Sequence, residues 1–465
     1  MPSKSRPDSL LVSAGLLHSK GWQVAIIGLG TASVQLDTSV NIAFPAITRG
    51  FDLTIADIQW VVICYVLTYA SLLLALGRVG DSVGHAIVFR IGLIWSAAAL
   101  LLVSCSPNYG AMLAFRCLQG VGAALVLSCG AALVTSLYGE ERRGRALGIY
   151  TMMMAFGLMI GPLLGGALTA IFDWPAVFWF RIPIAIAALL LLLLLRAKPG
   201  SPASRADDRL DIVGGIALTL GLVTMLLALN RMRELSAVWF ALLSAIAFAA
   251  FVLRESRAAR PIIAIDVLRL PGFAMLNLVS VLANLAAFSV WLLVPYFLAR
   301  VPGYTLTGSG AILAAAAAGA ALAAPIGGRL VGRYISAERL AIAGAAAIGA
   351  GLLLLSAWTE QTPTFLRVVG LVVQGIGLGL FQLAYSDIVT SALPLRDRGV
   401  AGSLVLLTRT LGTVTAASIV LMVFDSLRSN HSFLEAFHQT FQLAGMLAFA
   451  AAGLLLLSHR RIGTT

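Results

Sequence analysis

The sequence predicts an all-α protein that crosses a membrane many times. Of its 465 residues, 60% are apolar and 11% are charged, and the mean hydropathy is +0.96. The apolar runs are about 20 residues long, which is the length of a membrane-spanning helix and not the alternating ten-residue pattern of a membrane barrel. Together these observations exclude a soluble protein.

The apolar runs divide the chain into fourteen predicted spans. The first run is too long for a cleaved signal peptide, so we expect it to stay in the membrane. The net charge of +12 lies in short loops between the spans, which argues against a nucleic-acid partner. Most Lys and Arg residues fall on the side that carries both termini, and this bias predicts that both termini are cytoplasmic. The predicted spans are residues 22–47, 57–77, 86–104, 109–137, 145–171, 177–196, 212–230, 236–253, 272–298, 309–331, 340–357, 364–389, 400–424 and 438–458.

A repeated motif predicts two related halves. Gln119-Gly-Val-Gly122 recurs 255 residues later as Gln374-Gly-Ile-Gly377, and residues 142–148 resemble residues 397–403 at the same offset. Parallel repeats of this kind build transporters in which two bundles move about a central cavity. The predicted domains are an N-terminal six-helix bundle at 1–196, a two-helix insert with its linkers at 197–271, and a C-terminal six-helix bundle at 272–465.

The reactive residues argue against an ATPase and against a membrane-embedded enzyme. The chain has no Gly-rich phosphate-binding motif ending in Lys, and its three lysines all precede residue 199. An enzyme such as an acyltransferase would need His, Asp or Cys clustered at one depth, yet the five His residues fall outside the spans or at their edges. The four Cys residues lack metal-ligand spacing. We expect no metal, no cofactor and no catalysis, with transport driven by a proton gradient.

The segment from Gly157 to Gly166 concentrates small and helix-bending residues in one predicted span. Gly157, Gly161 and Gly165 lie four apart, so they share one helix face and let a neighbouring helix approach at backbone distance. Pro162 removes a backbone donor and bends the helix. From the residues alone, the segment is either a packing face or a bend that sets how one bundle closes against another.

Four short motifs follow one another along the first half. They are Leu-Asp-Thr-Ser-Val-Asn-Ile-Ala-Phe-Pro at 36–45, Gly-Arg-Val-Gly-Asp-Ser-Val-Gly at 77–84, Arg-Cys-Leu-Gln-Gly-Val-Gly at 116–122, and the Gly-Pro segment at 157–166. Together they resemble the motifs of the major facilitator superfamily, and within it those of the fourteen-helix drug:proton antiporters. In that family, the first motif belongs to the first helix of drug exporters and has one more residue after the acid.

The resemblance covers nearly the whole chain and implies a major facilitator fold of two six-helix bundles plus two inserted helices. The Gly-Pro segment resembles an antiporter motif, which implies export rather than uptake. The loop at 77–84 implies a gate, whose residues would be Gly77, Arg78, Asp81 and Gly84.

Asp37 is the strongest candidate for a proton carrier. It lies 15 residues into the first predicted span, or about 22 Å along a helix. A carboxylate at that depth must be protonated, paired, or open to a water-filled cavity. Burial disfavours its ionised form, as a proton carrier requires, and an entering cation would favour that form and expel the proton. The alternative is an acid that serves structure alone.

Three other charges lie within or at the ends of spans. Arg116 lies seven residues into the fourth span, where it is either a counter-charge for Asp37 or an arginine that reaches the outer surface. Arg409 lies ten residues into the thirteenth span. Because the family's thirteenth helix does not line the cavity, we expect Arg409 to tie helices together. Asp387 is a second acid near the cytoplasmic end of the twelfth span, either at the cavity mouth or simply solvated.

By the family fold, the first, fourth, ninth and twelfth helices line the cavity. Mixed aromatic and amide surfaces suit bulky, partly cationic amphiphiles. The residues that these helices offer are Gln35, Asn41, Gln119, Asn277, Asn284, Phe288, Trp291, Tyr296, Gln374, Phe381 and Tyr385.

These observations predict a monomeric, proton-coupled transporter in a bacterial inner membrane that exports hydrophobic or cationic drugs by antiport. Its partners are the small-molecule substrate, protons and the lipid bilayer. One alternative is an exporter of a single metabolite, antibiotic or lipid, since both kinds of exporter need the same helices. A proton symporter for uptake is a further alternative, which the segment at 157–166 disfavours.

Overall fold

The structure is a computed structural model that describes residues 20–138, 140–194, 212–230, 235–255, 272–331, 334–392 and 398–462. The regular elements within these ranges are helices. Twelve of the spans they form are long and apolar enough to cross a membrane, which confirms an all-α, multi-pass membrane protein.

The first half, residues 20–194, begins with short helical pieces and continues with long helices. Two 3-10 turns, at Leu36–Thr38 and Ala56–Ile58, interrupt the early part. The helices are α1 (Lys20–Gln35), α2 (Ser39–Ile42), α3 (Phe44–Gly50), α4 (Gln59–Val83), α5 (His85–Ser104), α6 (Tyr109–Ser136), α7 (Glu140–Phe172), α8 (Ala176–Trp179) and α9 (Arg181–Leu194).

The insert and the second half (residues 272–462) consist of longer, uninterrupted helices. The insert contains α10 (Ile212–Asn230) and α11 (Ser236–Glu255). The second half contains α12 (Phe273–Leu298), α13 (Leu306–Leu330), α14 (Ala337–Ser356), α15 (Thr364–Ser391), α16 (Arg398–Arg428) and α17 (Phe433–Ile462).

The first predicted span is not one continuous helix, and this corrects the sequence analysis. Regular α-helix ends at Gln35 and resumes at Ser39 and again at Phe44. Pro45 explains the second interruption, because it lacks an N–H and its ring clashes with the carbonyl of Asn41, four residues earlier. Neither this broken first span nor α10, whose described apolar stretch is Gly214–Met225, is among the twelve spans counted above. The count of fourteen spans therefore stays a prediction.

Corresponding helices of the two halves have equal lengths, as expected for an internal repeat. α6 and α15 each contain 28 residues, α5 and α14 each contain 20, and α4 and α13 each contain 25. The repeat seen in the Gln-Gly motifs thus extends to three helices. The domain boundaries lie in or beside the linkers at 195–211 and 256–271, which fall outside the described residues.

The halves meet along two helix pairs, α7 with α13 and α4 with α16. The insert helices α10 and α11 pack on each other, and α10 also contacts α4 and α16 beside the second pair. Short loops make successive spans antiparallel. We call the end that holds the loops after α3, α5, α7, α12 and α14 the far end, and the opposite end the terminal end.

Candidate functional site

A cavity of about 420 Å³ lies between the halves, within the size range of small-molecule sites. Its wall is formed by α4, α6, α7, the broken first span and four helices of the second half. The helices α4, α7, α13 and α16 were not expected to contribute. The predicted residues that line it are Gln35, Asp37, Asn41, Arg116, Asn284, Phe288, Trp291, Gln374 and Arg409.

Asp37 lies at the cavity wall and is held by two arginines and one amide. Arg116 donates from Nη1 to Oδ1 at 2.8 Å and from Nη2 to Oδ2 at 3.0 Å. Gln119 Nε2 and Arg181 Nη1 each donate to Oδ1 at 2.9 Å. The two guanidiniums are almost completely buried, at 2% and 1% exposure. We call these four residues the Asp37 cluster; its net charge is +1 when Asp37 is ionised.

Arg181 is the member of the cluster that the sequence analysis missed. It lies four residues inside the predicted span 177–196, and this depth was the signal that could have identified it. The ring of Phe178 lies 5.7 Å from each of the two guanidinium carbons, so one aromatic side chain contacts both arginines. The Nε and Nη2 groups of Arg181 have no hydrogen-bond partner among the described residues.

The broken first span places Asp37 on the cavity. The 3-10 turn at Leu36–Thr38 carries the acid out of the regular register of α1. Pro162 on α7 explains what holds this turn, because without an N–H it leaves the carbonyl of Leu158 free. Thr38 Oγ1 donates to that carbonyl at 3.1 Å. The Leu158 carbonyl that Pro162 leaves free on α7 thus anchors Thr38, the residue next to Asp37.

The segment from 157 to 166 packs closely on other helices through two different faces of α7. Gly161 and Gly165 face the broken first span, where an added Cβ would lie 2.1 Å from Thr38 Oγ1 and 2.5 Å from the Ser39 carbonyl. Gly166 faces the other half, where an added Cβ would lie 2.3 Å from the Leu306 carbonyl. Gly157 lies on the first face. The segment therefore joins the turn at Leu36–Thr38 to the interface between the halves.

The halves also touch at the far end. Thr48 Oγ1 at the end of the first span shares a hydrogen bond of 2.6 Å with Tyr296 of α12. Gly310 of α13 packs directly on the backbone of Pro162 and Gly166. Several wall residues, such as Tyr150 of α7, lie nearer the terminal end. The cavity is therefore separated from the far end by contacts between the halves.

Five residues predicted for the cavity are buried behind its wall instead. Gln119 is turned towards Asp37, and Tyr296 towards Thr48. Asn277 and Tyr385 bond to each other, with Tyr385 Oη donating to Asn277 Oδ1 at 2.8 Å. Phe381 is fully buried and stacks on the ring of Tyr385. The physical reason is the same in each case, because these side chains form hydrogen bonds or ring contacts with neighbouring residues behind the wall.

Of the two remaining charges, Arg409 departs from its expected place, whereas Asp387 agrees with the solvated alternative. Arg409 was expected to join helices, yet it lines the cavity with an exposed side chain, because α16 packs against α4 of the other half. Asp387 is exposed on α15 and is not part of the cavity wall.

Most of the predicted gating loop is helical, which corrects the sequence analysis: residues 77–83 form the last two turns of α4, and Gly84 alone connects α4 to α5. Gly84 has φ +108°, a conformation that favours glycine. Asp81 lies 3.1 Å from His85 Nε2, and Gly77 lies on α4 near Ser128. The side chain of Arg78 lies outside the described part of the chain.

Comparison with known proteins gives consistent matches over the chain. A sequence model of the Major Facilitator Superfamily matches residues 24–282 and 276–463. The chain is 27% identical over 442 residues to the riboflavin transporter RibZ of Clostridioides difficile, covering 93% of this chain and 96% of that protein. It is 32% identical over 437 residues to the cephamycin export protein CmcT of Amycolatopsis lactamdurans, covering 90% of this chain and 88% of that one.

A solved structure shows a similar fold. The crystal structure of a POT family transporter in complex with a thioalcohol-conjugated peptide matches with a TM-score of 0.74, over 95% of this chain and 96% of that chain. The two sequences are 14% identical, so this likeness concerns the fold alone.

Proposed function

The chain belongs to the major facilitator superfamily, and on that premise we propose that it exports hydrophobic small molecules in exchange for protons. The cavity between the halves holds the substrate, and Asp37 carries the proton. The export direction is supported by the antiporter-like segment and by the relative named as a cephamycin export protein.

The observation that carries the proposal is the position of the Asp37 carboxylate, at the cavity wall and between two buried guanidiniums. When a proton binds Asp37, the negative charge disappears and both arginines lose their counter-ion. A buried charge without a partner is strongly unfavourable. Proton binding therefore favours an arrangement in which the turn at Leu36–Thr38, α6 and α9 separate or admit water.

The effect of proton binding at Asp37 reaches the contact between the two halves through α7. Thr38, next to Asp37, is bonded to the carbonyl of Leu158 on α7. The same helix packs on α13 through Gly166. A shift of the turn at Asp37 thus acts on the contact between halves. This coupling passes through helices and does not require a cationic substrate to displace the proton, because the oxygens of Asp37 are already bonded.

The protein works, in this proposal, as a monomer in the bacterial inner membrane with both termini in the cytoplasm. It uses the proton gradient and no cofactor. An exporter of one metabolite or antibiotic is the second candidate, favoured by relatives that are named for single compounds, riboflavin and cephamycin.

The test is transport of three fluorescent dyes by purified protein in liposomes. N-dansylglycine, N-dansylglycinamide and N-dansylethylenediamine share one aromatic body and carry a negative, no and a positive charge. We expect a pH gradient to drive at least one dye out of the compartment that faces the termini of the protein, which corresponds to the cytoplasm. Asp37→Asn should abolish the response to the gradient, whereas Asp387→Asn, which removes an acid outside the described cavity wall, should retain it.

Exchange of labelled for unlabelled dye without a gradient shows whether Asp37→Asn still folds and binds. A wild-type protein that moves the dyes without regard to the pH gradient would contradict proton coupling. Accumulation in the opposite direction would favour the uptake symporter. Transport of only one related compound would favour the single-substrate exporter.

A further inference from the structure

The charged residues of the cavity wall are predominantly positive. Among the described residues that line it, Asp37 is the single carboxylate, and Arg116 and Arg409 are the cations. Arg181 lies directly behind Asp37 and adds a further positive charge. The wall and its immediate support therefore have a net charge of +2 when Asp37 is ionised. A cavity of this sign repels a cation and attracts an anion.

Asp37 is poorly placed to attract a cationic substrate. Both of its oxygens accept hydrogen bonds from guanidiniums, and Gln119 donates to one of them as well. A cation that approached Asp37 would also meet Arg116, which lies at the same part of the wall. The negative charge of Asp37 is neutralised within its own cluster.

Arg409 is placed differently, because its side chain is exposed to the cavity. It lies where α16 approaches α4 of the other half, and Tyr69 of α4 lines the same cavity. Thr413, one helical turn further along α16, adds a hydroxyl to the same wall. A planar guanidinium exposed to a cavity matches the two oxygens of a carboxylate.

The wall also offers a surface for an aromatic body. Asn284, Phe288 and Trp291 follow one another along one face of α12. Gln382 Nε2 donates to Asn284 Oδ1 at 3.3 Å, so amides border the aromatic side chains. The volume of about 420 Å³ suits a drug-sized molecule.

We propose that the substrate is an amphiphile with an aromatic body and an anionic group, and that Arg409 binds the anionic group. This inference rests on the proposed function and specifies its substrate class. It replaces the cationic substrate expected from the sequence. Because the proton acts through the turn at Leu36–Thr38 and α7 in the proposed cycle, the substrate needs no positive charge.

Equilibrium binding of the three dansyl dyes to detergent-purified protein tests this inference separately from transport. We expect wild-type protein to bind N-dansylglycine more tightly than N-dansylglycinamide, and N-dansylethylenediamine most weakly. Arg409→Gln should weaken N-dansylglycine binding about tenfold, the factor that corresponds to about 1.4 kcal/mol. Arg409→Lys keeps the charge and should retain most of the preference.

Unchanged binding of the neutral dye by Arg409→Gln would show that the variant is folded. Tightest binding of the positively charged dye, or an unchanged charge preference in Arg409→Gln, would overturn the inference. Competition by an excess of phosphatidylglycerol would also overturn it, because the anion would then be a lipid headgroup. These binding measurements use no pH gradient, so their outcome does not depend on proton coupling. They can be interpreted even if coupling fails in liposomes.

Discussion

At the scale of single residues, the two arginines of the Asp37 cluster have unequal roles. Arg116 makes two bonds to Asp37, one to Gln119 Oε1, and one from Nε to the Val61 carbonyl at 2.9 Å. Arg181 makes one bond to Asp37 and leaves two nitrogens without a partner among the described residues. Arg116 therefore stabilises the fold. Arg181 adds a positive charge beside Asp37 but leaves part of its hydrogen-bonding capacity unused among the described residues.

This difference predicts unequal effects on stability. Either variant leaves one arginine paired with Asp37, so the difference lies in the hydrogen bonds. Arg116→Gln removes four of them and should lower the free energy of unfolding by about 3–5 kcal/mol. Arg181→Gln removes one and also removes two buried nitrogens without a partner among the described residues, so it should lower that free energy by about 1 kcal/mol or less. Thermal unfolding of the two variants in the same detergent checks this, and equal losses would refute it.

The pairing of Asp37 with Arg116 could be anticipated from the depth of both charges in apolar spans. The same signal marks Arg181 as a buried charge, but its partner could not be anticipated, because pairing across helices depends on which helices are neighbours, and hydropathy carries no such information. Arg409 shows the same limit. Its position inside an apolar span is visible in the sequence, but its exposure to the cavity follows from the contact of α16 with α4.

At the scale of helices, the positions of the long apolar spans were predictable from residue type. The break in the first span was not recognised, although Pro45 was visible in the sequence. An apolar run reports burial in lipid and does not report the backbone hydrogen bonds that define a helix. The turn that exposes Asp37 depends on a bond from Thr38 to a different helix, which no local pattern encodes.

The two faces of α7 lead to a prediction for the contact between halves. Gly166→Ala should reduce transport by about tenfold or more, because the added methyl would meet a backbone carbonyl of α13 that has no rotamer in which to move away. Gly148→Ala is the matched control, since it lies on the same helix and has nothing within 4 Å of the added Cβ. Transport of the dansyl dyes in liposomes measures both.

Thermal unfolding distinguishes two causes for a loss of transport in Gly166→Ala, namely misfolding and a disturbed contact between the halves. If the residue acts at the contact between halves, the variant should remain folded and bind dye. Equal transport by the Gly166 and Gly148 variants would show that this contact does not limit the cycle.

At the scale of the whole molecule, the described state is closed at the far end. The Thr48–Tyr296 bond joins the halves there. Alternating access requires that such bonds break when the cavity opens to the far side. Each of them therefore contributes to the equilibrium between the two states rather than to the stability of one half.

Tyr296→Phe should shift this equilibrium towards the state that is open at the far end. The loss of one hydrogen bond, worth about 1 kcal/mol net, corresponds to about a fivefold change. Tyr109→Phe is the matched control, because Tyr109 Oη donates to the Asp57 carbonyl within the first half. Hydrogen exchange of the loop at 299–305 should accelerate in the first variant only, and acceleration in both would indicate local loosening.

The glycine contact between α7 and α13 has a consequence for the speed of closure. Gly166 and Gly310 meet backbone to backbone, so neither has a side chain at this point of contact. Most interfaces must fix side-chain rotamers each time they re-form, and each ordered side chain carries an entropic penalty, which is zero for glycine. Closure at this point therefore loses no side-chain rotamer entropy from either glycine. Repeated separation and closure there can proceed without any search among side-chain conformations.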